Sequence, residues 1–276
     1  MGLALGLACM LGACRATAID WRAVARSSVI VVGQLDVPTG AIAAARSSGG
    51  AHVSVNVKVR ERLRGEPRPV ETFHVYACPA RTRGAVTTAA SPSMEFERRS
   101  GQDAIVLLEW SEGALYLAAD DSSAVLDPSA SNLRVLESIL ERHARWLAEP
   151  LPAPDPALAQ RVSHLVDELV ADPERQRTAF ASLLELGEAA VPAVISALSD
   201  RRPLAERHVM LENHARDAFE AYRQYGPELV VDALAAWLNQ VTGESFGFIY
   251  NGASDAERNA CVAGWRLYLR YSTHSG

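Results

Sequence analysis

Lysine is nearly missing from this chain: of 27 basic side chains Lys58 alone is a lysine, and the rest are arginine. With so much alanine this is a coding bias, so no single arginine signals recognition. A basic excess is missing too. Acidic residues number 33, the net charge is −6, and the footprint of a nucleic-acid-binding protein is excluded. Cysteine is scarce at four residues, with no C-x-x-C pair and no Cys/His spacing suited to zinc. The uncharged, mostly apolar residues 2–13 would span about 18 Å as a helix, short of the roughly 30 Å core of a bilayer. Catalytic signatures are lacking: no G-x-S-x-G, H-E-x-x-H, Walker A or G-x-G-x-x-G occurs. What remains is a 276-residue chain, 49% hydrophobic and 22% charged, which excludes disorder and a multi-span membrane protein and allows one or two domains.

The first 18 residues read as an address. Residues 2–13 suit the apolar region of a secretory signal, although no Lys or Arg precedes them. The segment Leu11-Gly12-Ala13-Cys14 resembles a bacterial lipobox. That resemblance implies lipidation of Cys14 as the mature N-terminus, with the membrane as a partner through the lipid. Ala16-Thr17-Ala18 offers an ordinary cleavage site instead, and a buried N-terminal helix is the third reading. The expected location is the cell envelope or the exterior. Export would permit a disulfide between Cys78 and Cys261; two separate buried thiols fit better.

Residues 20–148 read as a barrel. Residues 28–37 are rich in β-branched side chains and end at Pro38-Thr39-Gly40. Residues 52–62 alternate, with Val53, Val55, Val57 and Val59 opposite Ser54, Asn56, Lys58 and Arg60, which is the period of a half-buried strand. Residues 70–77 form a third strand, with Val70, Thr72, His74 and Tyr76 opposing Glu71, Phe73, Val75 and Ala77. A polar loop covers 79–100, and strands at 104–110 and 114–118 flank a short hairpin turn. Five strands without intervening helices suggest a small antiparallel barrel or sandwich. The segments at 29–35, 55–65, 101–108 and 115–117 are similar to netrin-like, tissue-inhibitor-of-metalloproteinase-like OB barrels. That resemblance also implies a following helix, which Ser129 or Ser131 can cap and which carries Leu133, Leu136, Ile139, Leu140, His143 and Leu147. It does not bring inhibition with it. The family's inhibitors use the free amine of a disulfide-bonded N-terminal cysteine; lipidated Cys14 has none, and cleavage after Ala18 leaves Ile19 first.

Residues 149–156, with four prolines, read as a semi-rigid linker. Beyond them, over 157–276, the apolar spacing becomes helical. Residues 183–200 resemble a HEAT-type repeat, with weaker neighbours expected at 204–225 and 227–241. Ser254 to Glu257 forms a capping box for a last helix, and the loop before it is similar to the end cap of HEAT-like proteins. Phe246, Phe248 and Tyr250 of that loop, with Trp265 of the helix, are the candidate partner or ligand surface; sealing the end of the stack is the reading that fits Phe246, Phe248 and Trp265 better. Glu206, His208, Glu212 and His214 fall in one expected helix, where a solvated surface fits better than a metal site.

The expectation is therefore a two-domain α+β chain, an OB-like barrel followed by a HEAT-like helical domain, with no catalytic residue, metal or cofactor. Its role would be non-enzymatic binding of another protein, or scaffolding, in the bacterial envelope. A hydrolase or metal-dependent enzyme is the alternative.

Overall fold

The computed structural model describes residues 19–77, 94–111, 113–119, 121–212 and 222–274. Cys14 and Cys78 lie outside these. Helix α1 (Trp21–Arg26) starts where the Asp20 carboxylate accepts the Arg22 N–H at 2.9 Å. There follow β1 (Val29–Asp36), α2 (Ala41–Ser47), β2 (Ala51–Arg64), β3 (Val70–Ala77), α3 (Met94–Arg98), β4 (Asp103–Ser111) and β5 (Ala114–Leu117). A single turn α4 (Asp121–Ala124), the two-residue β6 (Val125–Leu126) and the long α5 (Ala130–Ala148) complete the first half. The Ser129 hydroxyl caps α5 by accepting from Asn132 N.

Among the described residues the strands run β1-β2-β3-β5-β4 and close through pairing of β1 with β4, while β6 adds to β4. The result is a closed five-strand barrel compatible with an OB-like barrel. Its joints are antiparallel except β3–β5, which is parallel and registered at one pair, His74 with Tyr116. Alternation along each strand cannot reveal this. An odd ring of strands cannot reverse direction at every joint, so one joint must be parallel.

The register of β1 against β2 slips twice, between Ile30 and Val31 and between Val32 and Gly33. Gly33 is required there, because a Cβ would stand 2.2 Å from the Lys58 carbonyl oxygen. Val31, Leu35, Val55, Val57, Phe73, Val106 and Leu108 pack the barrel interior. Ile30, Val32, Ile105 and Leu107 face the other way and are covered by Ala23 and Val24 of α1 and Leu136 and Ile139 of α5. Burial on both faces explains why β1 and β4 are almost wholly apolar.

The second half contains α6 (Pro156–Glu168), α7 (Pro173–Leu186), a 3₁₀ turn (Gly187–Ala190), α8 (Val191–Ala197), β7 (Val209–Glu212), β8 (Tyr222–Tyr225), α9 (Val230–Thr242) and α10 (Asp255–His274). Asp155 and Asp172 cap α6 and α7 ahead of Pro156 and Pro173, and Ser254 with Glu257 forms the expected box on α10. Buried Asp232 of α9 accepts from the Arg258 Nε of α10 at 2.7 Å. Gly264 of α10 lets the Phe246 ring lie against the helix, since a Cβ there would meet Phe246 at 2.4 Å.

One stretch corrects the sequence expectation. Of residues 204–225, the described ones, 204–212 and 222–225, are not helical: they form a loop and the antiparallel pair of β7 and β8, and 213–221 lie outside the described residues. Val209 and Leu211 are buried while Met210 between them is exposed, an alternation of period two too short to stand out. The buried Gln176 side chain of α7 adds a tertiary reason: it accepts from Glu206 N at 2.8 Å and donates to Glu206 O at 2.9 Å, holding that backbone extended.

The two halves are joined along a seam. Trp21 of α1 stacks on Tyr271 of α10 with centroids 3.9 Å apart, and Arg22 pairs with Glu244 at 2.8 Å. His143 of α5 meets the Tyr271 hydroxyl at 3.1 Å. The proline segment is strapped to α10: Arg266 donates to Leu147 O and Glu149 O, each at 3.2 Å, and Arg270 donates to Pro150 O.

Candidate functional site

A short distance from that seam the halves part and leave a cleft. One cavity, of about 460 Å³, lies between barrel residues and the loop and helix around 247–260. A neighbouring cavity of about 520 Å³ runs along β3 and β5. The two share a wall made of Arg26, Glu109, Gly247 and Phe248. The first cavity enters the barrel where β3 and β5, paired at one position, diverge: Glu71 comes from β3 and Leu115 from β5.

The floor is an ion pair. Arg62 Nη2 donates to Glu71 Oε1, and the two side chains are only 8% and 4% exposed. Glu71 stands on the inward side of β3 with Phe73, Val75 and Ala77, all buried. The slips in the β1–β2 register bring Arg62 to it. Arg62 Nε and Nη1 are buried without a hydrogen-bond partner among the described residues. A buried pair of this kind contributes little net stability, because desolvation of both ions offsets their attraction. Such a pair, half-satisfied at the floor of a cavity, is a mark of a site.

Glu109, near the end of β4, stands in the shared wall. Burial pushes its carboxyl up to about 7, with the Arg26 guanidinium pulling the other way. No hydrogen bond or ion pair holds that carboxylate among the described residues. Arg26 itself turns elsewhere, its Nη1 donating to Ser245 O at 3.4 Å. The walls of the first cavity are largely apolar, and Trp110 and Phe248 stand at them 42% and 45% exposed.

The four aromatic residues singled out from the sequence are divided by the structure. Phe246, Tyr250 and Trp265 are buried in the helical core, where Phe246 meets Trp265 edge-on at 5.0 Å. Those three seal the stack. Phe248 alone reaches the cleft, touching Tyr250 at 5.0 Å from behind. Glu206 and His208 lie on the loop before β7, Glu206 pairing with Arg177, and His214 lies outside the described residues. No cluster of three or more metal-binding side chains occurs among the described residues. Cys261 is a buried free thiol, pushed up to about 12 by burial.

Arg62, Glu71 and Glu109 were missed from sequence. For Glu71 the signal existed, a carboxylate on the apolar side of an alternating strand. Glu109 follows the apolar run of residues 104–108 and gives no local sign. Compared with known proteins, the chain matches no family model, no curated protein and no solved structure.

Proposed function

We propose that this chain is an exported, membrane-anchored, non-enzymatic protein that binds a segment of another protein in the cleft between its two halves. The observation that carries the reading is that cleft: an apolar cavity drawn from both halves, with two large aromatic side chains left exposed at its wall. Exposed aromatics at a cleft whose walls are largely apolar are the usual anchors of recognition. In this reading Cys14 carries the lipid, the barrel is of the netrin-like OB kind, and α6 to α10 form a HEAT-like cap that holds Phe248 over the barrel mouth. The alternative, a hydrolase, draws on one observation, the raised carboxyl of Glu109 in a cavity.

Site-specific photocrosslinking tests the proposal. A benzoylphenylalanine at position 248 or 110 should capture one protein from the membrane fraction. The same probe at Val135 or Met210, exposed apolar positions that line neither cleft cavity, should capture none. Equal capture at all four positions would sink it. Mass analysis of the mature N-terminus decides between lipidated Cys14 and a free Ile19.

A further inference from the structure

The cleft carries an unbalanced charge. Three arginines and four carboxylates line the first cavity, and Arg62 is spent on Glu71. Glu257 is engaged at the cap of α10, where it accepts from Ser254 N at 2.8 Å. Glu66 and Arg68, one charge of each sign, are both exposed on the turn after β2. Glu109 and Arg26 are left, both facing the two cavities: Arg26 acts on Glu109 by charge alone, no hydrogen bond or ion pair holds the Glu109 carboxylate among the described residues, and with Glu257 the lining has one carboxylate more than it has arginines. The neighbours of Glu109 are Trp110 and Phe248, whose ring faces attract cations.

Resting on the protein-binding reading above, we infer that the segment held in this cleft bears a basic side chain flanked by apolar residues, its cationic head anchored by the Glu109 carboxylate and its flanks by Trp110 and Phe248. An anionic head is disfavoured, because four carboxylates against three arginines line the first cavity and Arg62 is paired with Glu71. A neutral apolar segment would fill the walls yet leave Glu109 desolvated beside it, an arrangement that costs free energy. Burial already holds this carboxyl near the neutral range, so an arriving cation would also drive its proton off.

Three capped tripeptides supply the test: acetyl-Phe-Lys-Phe-amide and its norleucine and glutamate counterparts. Binding is read at the Trp110 resonance by fluorine NMR of the full chain labelled with 5-fluorotryptophan. The lysine peptide should bind about fivefold or more tighter than the norleucine peptide, the range of one partly desolvated ion pair with a cation–π contact. Glu109→Gln should bring the lysine peptide down to the norleucine level and leave the norleucine peptide unchanged. The comparison of peptides on the unaltered chain needs no variant to fold. Equal binding of lysine and norleucine peptides, or tightest binding of the glutamate peptide, overturns the anchor while leaving the cleft as a binding site. If no peptide moves the Trp110 resonance up to about 5 mM, the cleft reading itself falls as well.

Discussion

The barrel and the helical region meet along two stretches of opposite character. At the seam, Trp21 is stacked on Tyr271, Arg22 is paired with Glu244, and His143 meets the Tyr271 hydroxyl. At the cleft, Trp110 and Phe248 are exposed, and among the described residues the Glu109 carboxylate has no hydrogen bond or ion pair and two Arg62 nitrogens go unsatisfied. Both stretches draw on the same elements: α1 supplies Trp21 to the seam and Arg26 to the cleft. One edge of the contact carries the stability of the junction; the other is left open and, in the function proposed above, is where the partner binds. Functional sites are where local satisfaction is given up, and the strain is held by packing elsewhere.

That contrast breaks most visibly at Trp21. Trp21→Ala should cost about 3 kcal/mol, because it removes a large side chain packed against the helical core and against the α1–α5 layer at once. Urea unfolding measures this, and a loss below about 1 kcal/mol would mean that the seam does not hold the halves together.

Acid sharpens the contrast next, because the two edges respond with opposite sign. Burial, with Arg64 and Arg142 adding to it, holds His143 down to about 4 against an ordinary 6.5. The unfolded chain therefore takes this proton first, and stability is lost as pH falls from about 6.5 toward about 4. The loss amounts to about 2 kcal/mol at about pH 5. Glu109 is raised from 4.5 to about 7, so the folded chain takes that proton first and gains stability as pH falls through the interval. Urea titrations across pH should show His143→Leu abolishing the loss and Glu109→Gln abolishing the gain; unchanged slopes in both variants contradict the assignment.

The smallest effect belongs to Phe248. Phe248→Ala should move stability by no more than about 0.5 kcal/mol in the same denaturation, because the ring is largely exposed. A larger loss would make Phe248 a core residue rather than an anchor.

Much of this architecture was legible in the residues. Val53, Val55 and Val57 announce a strand by alternation, and Asp155-Pro156, Ser129 and Ser254 with Glu257 mark helix starts where the structure has them. The hairpin after Pro203 was not legible. Four-residue strands hold too few alternations to outvote a helical reading, and what fixes one of them, Gln176, lies 30 residues away in another element. The cleft was hidden for a related reason. Arg62 comes to Glu71 through register slips that belong to two strands together, and Glu109 meets Phe248 across more than a hundred residues of chain. A pattern along one strand reports its own two faces and says nothing of what a distant loop will lay beside them.

The stacking of Trp21 on Tyr271 joins an early helix to a late one, and that has a consequence for biosynthesis. The barrel can close as soon as β5 is made, and Ala23 and Val24 of α1 can pack on it, but Trp21 waits for its stacking partner until α10 has been synthesised and delivered. A chain interrupted before Asp255 would therefore hold a finished barrel with an uncovered tryptophan, the kind of surface that chaperones bind and proteases clear.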